Sequence, residues 1–192
     1  MTLKKRKDEQ LLDSALDVFV KKGFEKATID DIVQHANCGK GTFYRYFSNK
    51  EDLFEKLDEK FLQEMGEKLT KNCRPDLAPR PYLLAGLSTF LEAFNANKKI
   101  GLIRFERDLR LSAEERAAST QKILKHFFYM KEHLEQAKKK GSIKNFNAET
   151  ILVTLIGAAH FFIFREFKLG IPYKINEVEE VIDIIFYGVK AP

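Results

Sequence analysis

The chain has 192 residues, 44% of them apolar, and a formal net charge of +5. That is enough apolar surface for one domain or two small ones, and too little charge to name a partner. Two cysteines in no metal-ligand spacing exclude a disulfide framework, and residues Thr2 to Asp8 carry no apolar block of the kind a signal or transit peptide needs.

Strand signals are nearly absent while helix punctuation recurs from end to end, so the pattern predicts an all-α protein of about nine helices. Lys4 to Lys7 suit either a minor-groove arm or a frayed terminus. The first helix carries Leu11, Leu12, Ala15, Leu16, Phe19 and Val20 on one stripe and ends at Gly23 before Phe24. Thr28 reads as the N-cap of a second helix, with Asp31 as the acidic member of a capping box and Ile29, Ile32, Val33 and Ala36 on its inner face. After the break at Asn37, Cys38 and Gly39, a third helix from Lys40 to about Phe47 turns Phe43 and Phe47 inward. Ser48 to Glu51 reads as a capping box opening a fourth helix, with Leu53, Leu57 and Phe61 in register.

Two short helices joined by a tight turn and braced by a longer one have the layout of a helix-turn-helix, whose second short helix enters the major groove. That helix leaves Lys40 and Arg45 to offer charge and Thr42 and Tyr46 to offer hydroxyls. Gly41 costs about 1 kcal/mol in a helix unless something must approach closely. A merely solvated face for Lys40 and Arg45, and a packed ring for Tyr44, are the competing assignments. The runs Thr28 to Val33 (TIDDIV), Lys40 to Phe47 (KGTFYRYF) and Asn49 to Leu53 (NKEDL) resemble, in order and spacing, the signature of the TetR family of transcriptional regulators over residues 8–57. The resemblance implies that Thr28 touches phosphate and that Lys40, Gly41, Thr42 and Arg45 face bases or nearby backbone. It also implies that Tyr44 and Tyr46 hold phosphates or the groove wall, and that Lys50 closes on phosphate. The chain departs from the family in having Gly39 where a small hydroxyl residue is usual and Asn37 where glycine is usual.

Pro75, Pro79 and Pro81 mark an extended connection, followed by helices predicted near 81–97, 100–110, 113–140, 148–169 and 177–189. Ser112 with Glu115, Asn147 and Asn176 are the expected N-caps of the last three. This organisation gives a helix-turn-helix domain over residues 1–50 and a helical ligand-binding and dimerisation domain over 51–192. Arg104, Glu106, Arg107 and Asp108 read as a solvated charged patch.

The run from Ile151 to Phe164 is apolar nearly all round, so it must be buried on two sides. Broken by Thr154 and His160, it falls short of the ~20 residues of a membrane span, so a cytoplasmic protein with no membrane contact is expected. With the last helix it would form a four-helix homodimer interface through Ile151, Leu155, Ala158, Phe162, Val178, Ile182, Ile185 and Phe186, as the resemblance also implies. A purely monomeric core is the alternative. The resemblance further implies an effector pocket, for which Met65, Phe90, Phe105, Phe127, Met130, His160, Phe161 and Phe164 are candidates toward a small apolar or aromatic molecule. Ordinary core packing competes for each of them. His126 and His133 share a helix face seven residues apart, but no partners complete a metal site.

No nucleophile–base pair, paired carboxylates or phosphate loop is readable, so neither an enzyme nor a cofactor is expected. The expected function is a repressor released from a palindromic double-stranded operator by a small effector. A constitutive regulator or activator without effector, or an all-α enzyme, are the alternatives.

Overall fold

The computed structural model describes residues 6–108, 110–126 and 128–189. Lys4 and Lys5 of the expected arm and Phe127 of the expected pocket therefore lie outside the described residues. Ten helical segments are present among those described: α1 Lys7–Lys22, α2 Ile29–His35, α3 Lys40–Tyr44, α4 Lys50–Asn72, α5 Pro79–Ala96, α6 Lys98–Asp108, α7 Ala113–His126, α8 Phe128–Lys139, α9 Ala148–Leu169 and α10 Ile175–Val189. The helix expected over 113–140 corresponds to α7 and α8, on either side of Phe127.

Most helix starts follow their predicted caps. Ser112 and Glu115 bond reciprocally, at 3.2 and 2.9 Å, and the Asn147 amide oxygen accepts from the Glu149 N–H at 2.8 Å. Two starts differ. At α4 the cap is Asn49, which accepts from the Asp52 N–H, while Asp52 rather than Glu51 reaches back to the Ser48 N–H. Asn176 sits inside α10, and the Glu177 carboxylate takes the Lys174 N–H at 2.7 Å instead. Arg165 of α9 grips the same carboxylate with both terminal nitrogens, at 2.8 and 2.7 Å, and this fork holds the Glu177 carboxyl at about 2.

Packing divides the chain into two compact units, Met1–Leu62 with Asn97–Ser119, and Gln63–Ala96 with Thr120–Pro192. The division is thus not one cut after residue 50. α6 packs on α1 and contributes buried Ile100 and Ile103 to the first unit, so that unit cannot close on its own N-terminal segment. The core of this unit comes from Leu11, Ala15, Val18 and Phe19 of α1, Ile32 and Val33 of α2, Phe43 of α3, and Leu53, Phe54 and Leu57 of α4. Val20, placed on the inner stripe by periodicity, is exposed.

Arg104 is only 7% exposed, which corrects the expectation of a solvated patch. Its guanidinium bonds the Asp58 carboxylate of α4 and, through Nη2, the Ser119 hydroxyl and carbonyl of α7 at 2.8 and 3.3 Å. The Ser119 hydroxyl in turn donates to Asp108 at 2.9 Å. Three helices are therefore joined through one charge that has left water.

In the second unit α5 is central, packing against α8, α9 and α10. It buries Tyr82, Leu83, Leu87, Phe90, Leu91 and Phe94, and Gly86 leaves room for the Met130 methyl tip of α8 where a Cβ would stand. α9 has 22 residues, and by length and composition it alone among the described helices could cross a bilayer. Its inner face, Ile151, Leu152, Leu155, Ile156, Ala159, Phe162 and Ile163, is instead buried in this unit.

Arg104→Met should cost about 3–5 kcal/mol in urea denaturation, because Asp58 is left as a lone buried charge. Adding Asp58→Leu to that variant should restore much of the loss. A double variant no more stable than the single one would mean that the pair is not what the surrounding packing requires.

Candidate nucleic-acid interface

The helix-turn-helix is set up by local hydrogen bonds. The Thr28 hydroxyl accepts from the Asp31 N–H at 3.2 Å, and the Asp31 carboxylate accepts from the Thr28 N–H at 3.1 Å. Lys22 pairs with the same carboxylate and is the largest reason its pKa falls from 3.8 to about 2, followed by the Thr28 amide and hydroxyl. In the turn, the Cys38 N–H reaches the Val33 carbonyl at 2.9 Å, and Asn37 adopts φ +48°. Asparagine tolerates this left-handed conformation better than most residues, which explains its standing where the family favours glycine. Gly39 is the N-cap of α3 without a side-chain cap, so the hydroxyl cap is indeed missing there.

α3 ends at Tyr44, three residues short of the predicted end, with Arg45 as its C-cap; buried Phe43, with Phe47 5.7 Å away in the turn that follows, anchors it by one face. Lys40, Gly41, Tyr44, Arg45 and Tyr46 are exposed, as is Thr28 at the start of α2, and Thr42 is half-buried. Tyr44 is 55% exposed, so the packed-ring assignment fails for it. The Arg45 guanidinium lies 4.9 Å from the Tyr46 ring centroid, which holds the charge forward on a flat support. Lys40 bridges to Asp30 at 2.9 Å in full solvent, a contact weak enough to yield to phosphate. Nothing lies within 4 Å of where a Gly41 Cβ would stand, so the helix surface is open there.

Lys50 is different. Its ammonium donates to the carbonyls of Phe24, Glu25 and Ala27 at 2.8, 3.3 and 3.2 Å and sits 4.5 Å from the Phe24 ring centroid. The lysine expected to meet DNA phosphate is therefore engaged in the α1–α2 turn. A motif match cannot distinguish these uses, because the carbonyls come from residues 23 to 26 positions earlier.

Residues 11–57 match the family model described as bacterial regulatory proteins, tetR family. Residues 11–57 thus form a DNA-binding domain of the TetR family. Similarity to a transcriptional regulator extends beyond this domain: YhgD, an HTH-type transcriptional regulator of Bacillus subtilis, is 29% identical over 135 residues, 70% of each chain. The negative transcriptional regulator IcaR of the Staphylococcus epidermidis biofilm operon is 29% identical over 86 residues, 45% of this chain and 44% of IcaR. The fold of the whole chain is that of Bacillus subtilis FadR, solved with stearoyl-CoA, at a TM-score of 0.79 and 19% identity, covering 94% of this chain and 98% of FadR. The chain is a DNA-binding transcriptional regulator whose N-terminal domain is of the TetR type.

Of the residues expected at a TetR-type effector pocket, Phe90 and His160 come together. Met65 and Phe90 are buried, His160 is half-buried with its ring edge-on to Phe90, and Phe105 belongs to the other unit. Phe161 is 59% exposed and Phe164 is also exposed, so neither is enclosed as the lining of a closed cavity is. Met130 does line one, of about 300 Å³, with Leu69, Cys73, Tyr82 and His133. His133 stacks on Tyr82 at 3.8 Å; burial and then Lys140 lower its pKa, partly offset by its bond to the Leu77 backbone. Burial pushes the Cys73 thiol up to about 11, so it stays protonated at neutral pH, and Glu132 is the carboxylate on the same wall. Apart from Met130, these lining residues were not legible in the sequence, since no periodicity distinguishes a cavity wall from a core.

The expected dimer residues also largely face inward. Ile151, Leu155, Phe162, Val178 and Ile182 are buried within the chain, while Ala158, Ile185 and Phe186 are half-buried. The outward apolar stripe is instead Val153, Gly157, Phe161 and Phe164 on α9, with Ile184 and Tyr187 on α10. Both faces of α9 are apolar, so hydropathy could not say which one points out.

Lys50→Met should lower stability by about 1–3 kcal/mol in thermal unfolding, the effect of orphaning turn carbonyls. An unchanged melting temperature would return Lys50 to a role at DNA alone. Because Asp31 titrates lower in the folded chain than in the unfolded one, its stabilisation is fully present above pH ~4 and is lost as pH falls toward 2. Carboxyl NMR should place its midpoint near 2, moving up toward 3.8 in Lys22→Met.

Proposed function

We infer that the protein is a homodimeric, cytoplasmic repressor that binds a palindromic operator through α3 and is released by a small apolar effector. The observation that carries this reading is α3 itself, pinned by buried Phe43 and Phe47 with its cationic and hydroxyl side chains turned outward. Arg45, Thr42 and Gly41 meet base edges or adjacent backbone, with Lys40, Tyr44, Tyr46 and Thr28 on phosphates and the groove wall. Similarity to the negative regulator IcaR supports repression.

A second copy covers the stripe of Val153, Gly157, Phe161, Phe164, Ile184 and Tyr187, where Gly157 lets helices approach closely. Ile184, 75% exposed, has no reason to be apolar in an isolated chain. Two-fold symmetry then presents two recognition helices to successive major grooves, about one helical turn apart.

The cavity lined by Met130, Tyr82 and His133 has the size of a small ligand site and a mostly apolar wall. The stearoyl-CoA bound to FadR makes fatty acyl thioesters the first effectors to try. A ligand that binds the two states unequally by about 1–3 kcal/mol weakens operator binding about 5- to 150-fold.

Electrophoretic shifts on DNA upstream of the gene test the core of this reading. Salt-sensitive binding to a palindrome should be weakened about 10- to 150-fold by Arg45→Ala, and acyl thioesters should relax it. Binding indifferent to sequence and to Arg45→Ala would remove α3 as the reader, whereas tight binding untouched by any acyl thioester would remove that effector class only. In sedimentation, Ile184→Glu should convert the dimer to a folded monomer; a persistent dimer would place the interface elsewhere.

A further inference from the structure

We propose that the cleft between the α1–α2 turn and α6 is a binding site for a small phosphate-bearing anion. The cleft, about 230 Å³, is lined by Lys22, Lys26, Arg107 and Arg110 over a floor that includes Phe24 and Ile103. Glu25 and Glu106 are the carboxylates on its wall, which leaves cations in excess. All of these residues belong to the first compact unit.

The decisive group is Arg107. Its guanidinium lies 4.2 Å from the Phe24 ring centroid and 4.1 Å from that of Phe54, so the fork is positioned by aromatic faces rather than by a carboxylate. Glu115 feels its charge, but the Glu115 carboxylate is bonded to the Ser112 N–H. Among the described residues Lys26 and Arg110 also carry no side-chain hydrogen bond or ion pair, whereas Lys22 is held by Asp31. An arginine fixed in place with its donors unfilled is arranged for an oxyanion, and the planar fork suits phosphate.

The ordinary reason for cations here would be to satisfy the C-terminal end of α1 and the turn behind it. In the turn, that need is met by other donors. The Gly23 carbonyl accepts from the Ala27 N–H, and Lys50 takes the carbonyls of Phe24, Glu25 and Ala27. None of these carbonyls is held by Lys26, Arg107 or Arg110, which converge on one cleft.

Calorimetric titration of the full chain with inorganic phosphate and pyrophosphate, against sodium chloride of equal ionic strength, tests the site. Pyrophosphate should bind saturably, and Arg110→Gln or Lys26→Gln should each weaken it about tenfold, the loss of one charge-assisted contact. Both side chains are exposed, so these variants keep the fold, which circular dichroism verifies. Arg107→Gln should abolish binding.

Heat no different from that of chloride, or binding equal in wild type and variants, would overturn the proposal. A parallel titration with a random-sequence DNA duplex separates the other source of phosphate. If the variants lose duplex affinity and reduce its salt slope while no protein binds pyrophosphate, the cations serve the DNA backbone and the small-anion site does not exist.

Discussion

The helix-turn-helix of this protein depends on where one ammonium group goes. Lys50 begins α4, yet its charge is spent on the α1–α2 turn, where three carbonyls and the face of Phe24 replace water around it. Phe24 packs in turn against Phe19 of α1 and Phe54 of α4, at 5.0 and 5.3 Å. The turn is therefore tied to the helix before it and to the helix that follows α3. α2 starts one residue after that anchorage, at the Thr28–Asp31 capping box, so the position of α3 is inherited from it.

The same economy governs the other charges that leave solvent. Arg104 exchanges water for Asp58 and Ser119, and Arg165 exchanges it for Glu177 and the Pro172 carbonyl, so each guanidinium fixes helices or a loop that apolar packing alone would let slide. The surface of α3 follows the opposite rule. Lys40 and Arg45 are held by weak, solvated or aromatic contacts that a phosphate or a base can replace at little cost. Strength of pairing thus separates charges that build the fold from charges available to a partner.

In the second unit, by contrast, specificity comes from shape. α5 is enclosed by α8, α9 and α10, Gly86 admits Met130, and Tyr82 stacks on His133, so a single chain already consumes the inner faces of α9 and α10. What remains outside is an apolar surface that an isolated soluble chain has no use for.

The sequence by itself determined what is local. Capping partners lie two to four residues apart and helical stripes repeat every three or four, so the all-α class, the helix-turn-helix, the Thr28–Asp31 box and the outward residues of α3 could all be read from spacing alone. Tertiary structure decided what depends on distant neighbours. Lys50 turned inward because carbonyls more than twenty residues away converge on it, and Arg104 was buried because α4 and α7 supply its partners. The face of α9 that points out was likewise set by α5 and α8 taking the other one, and the cavity beside Met130 by residues of three helices. Periodicity records that a side chain prefers to leave water; it holds no information on which of two apolar surfaces will meet it first.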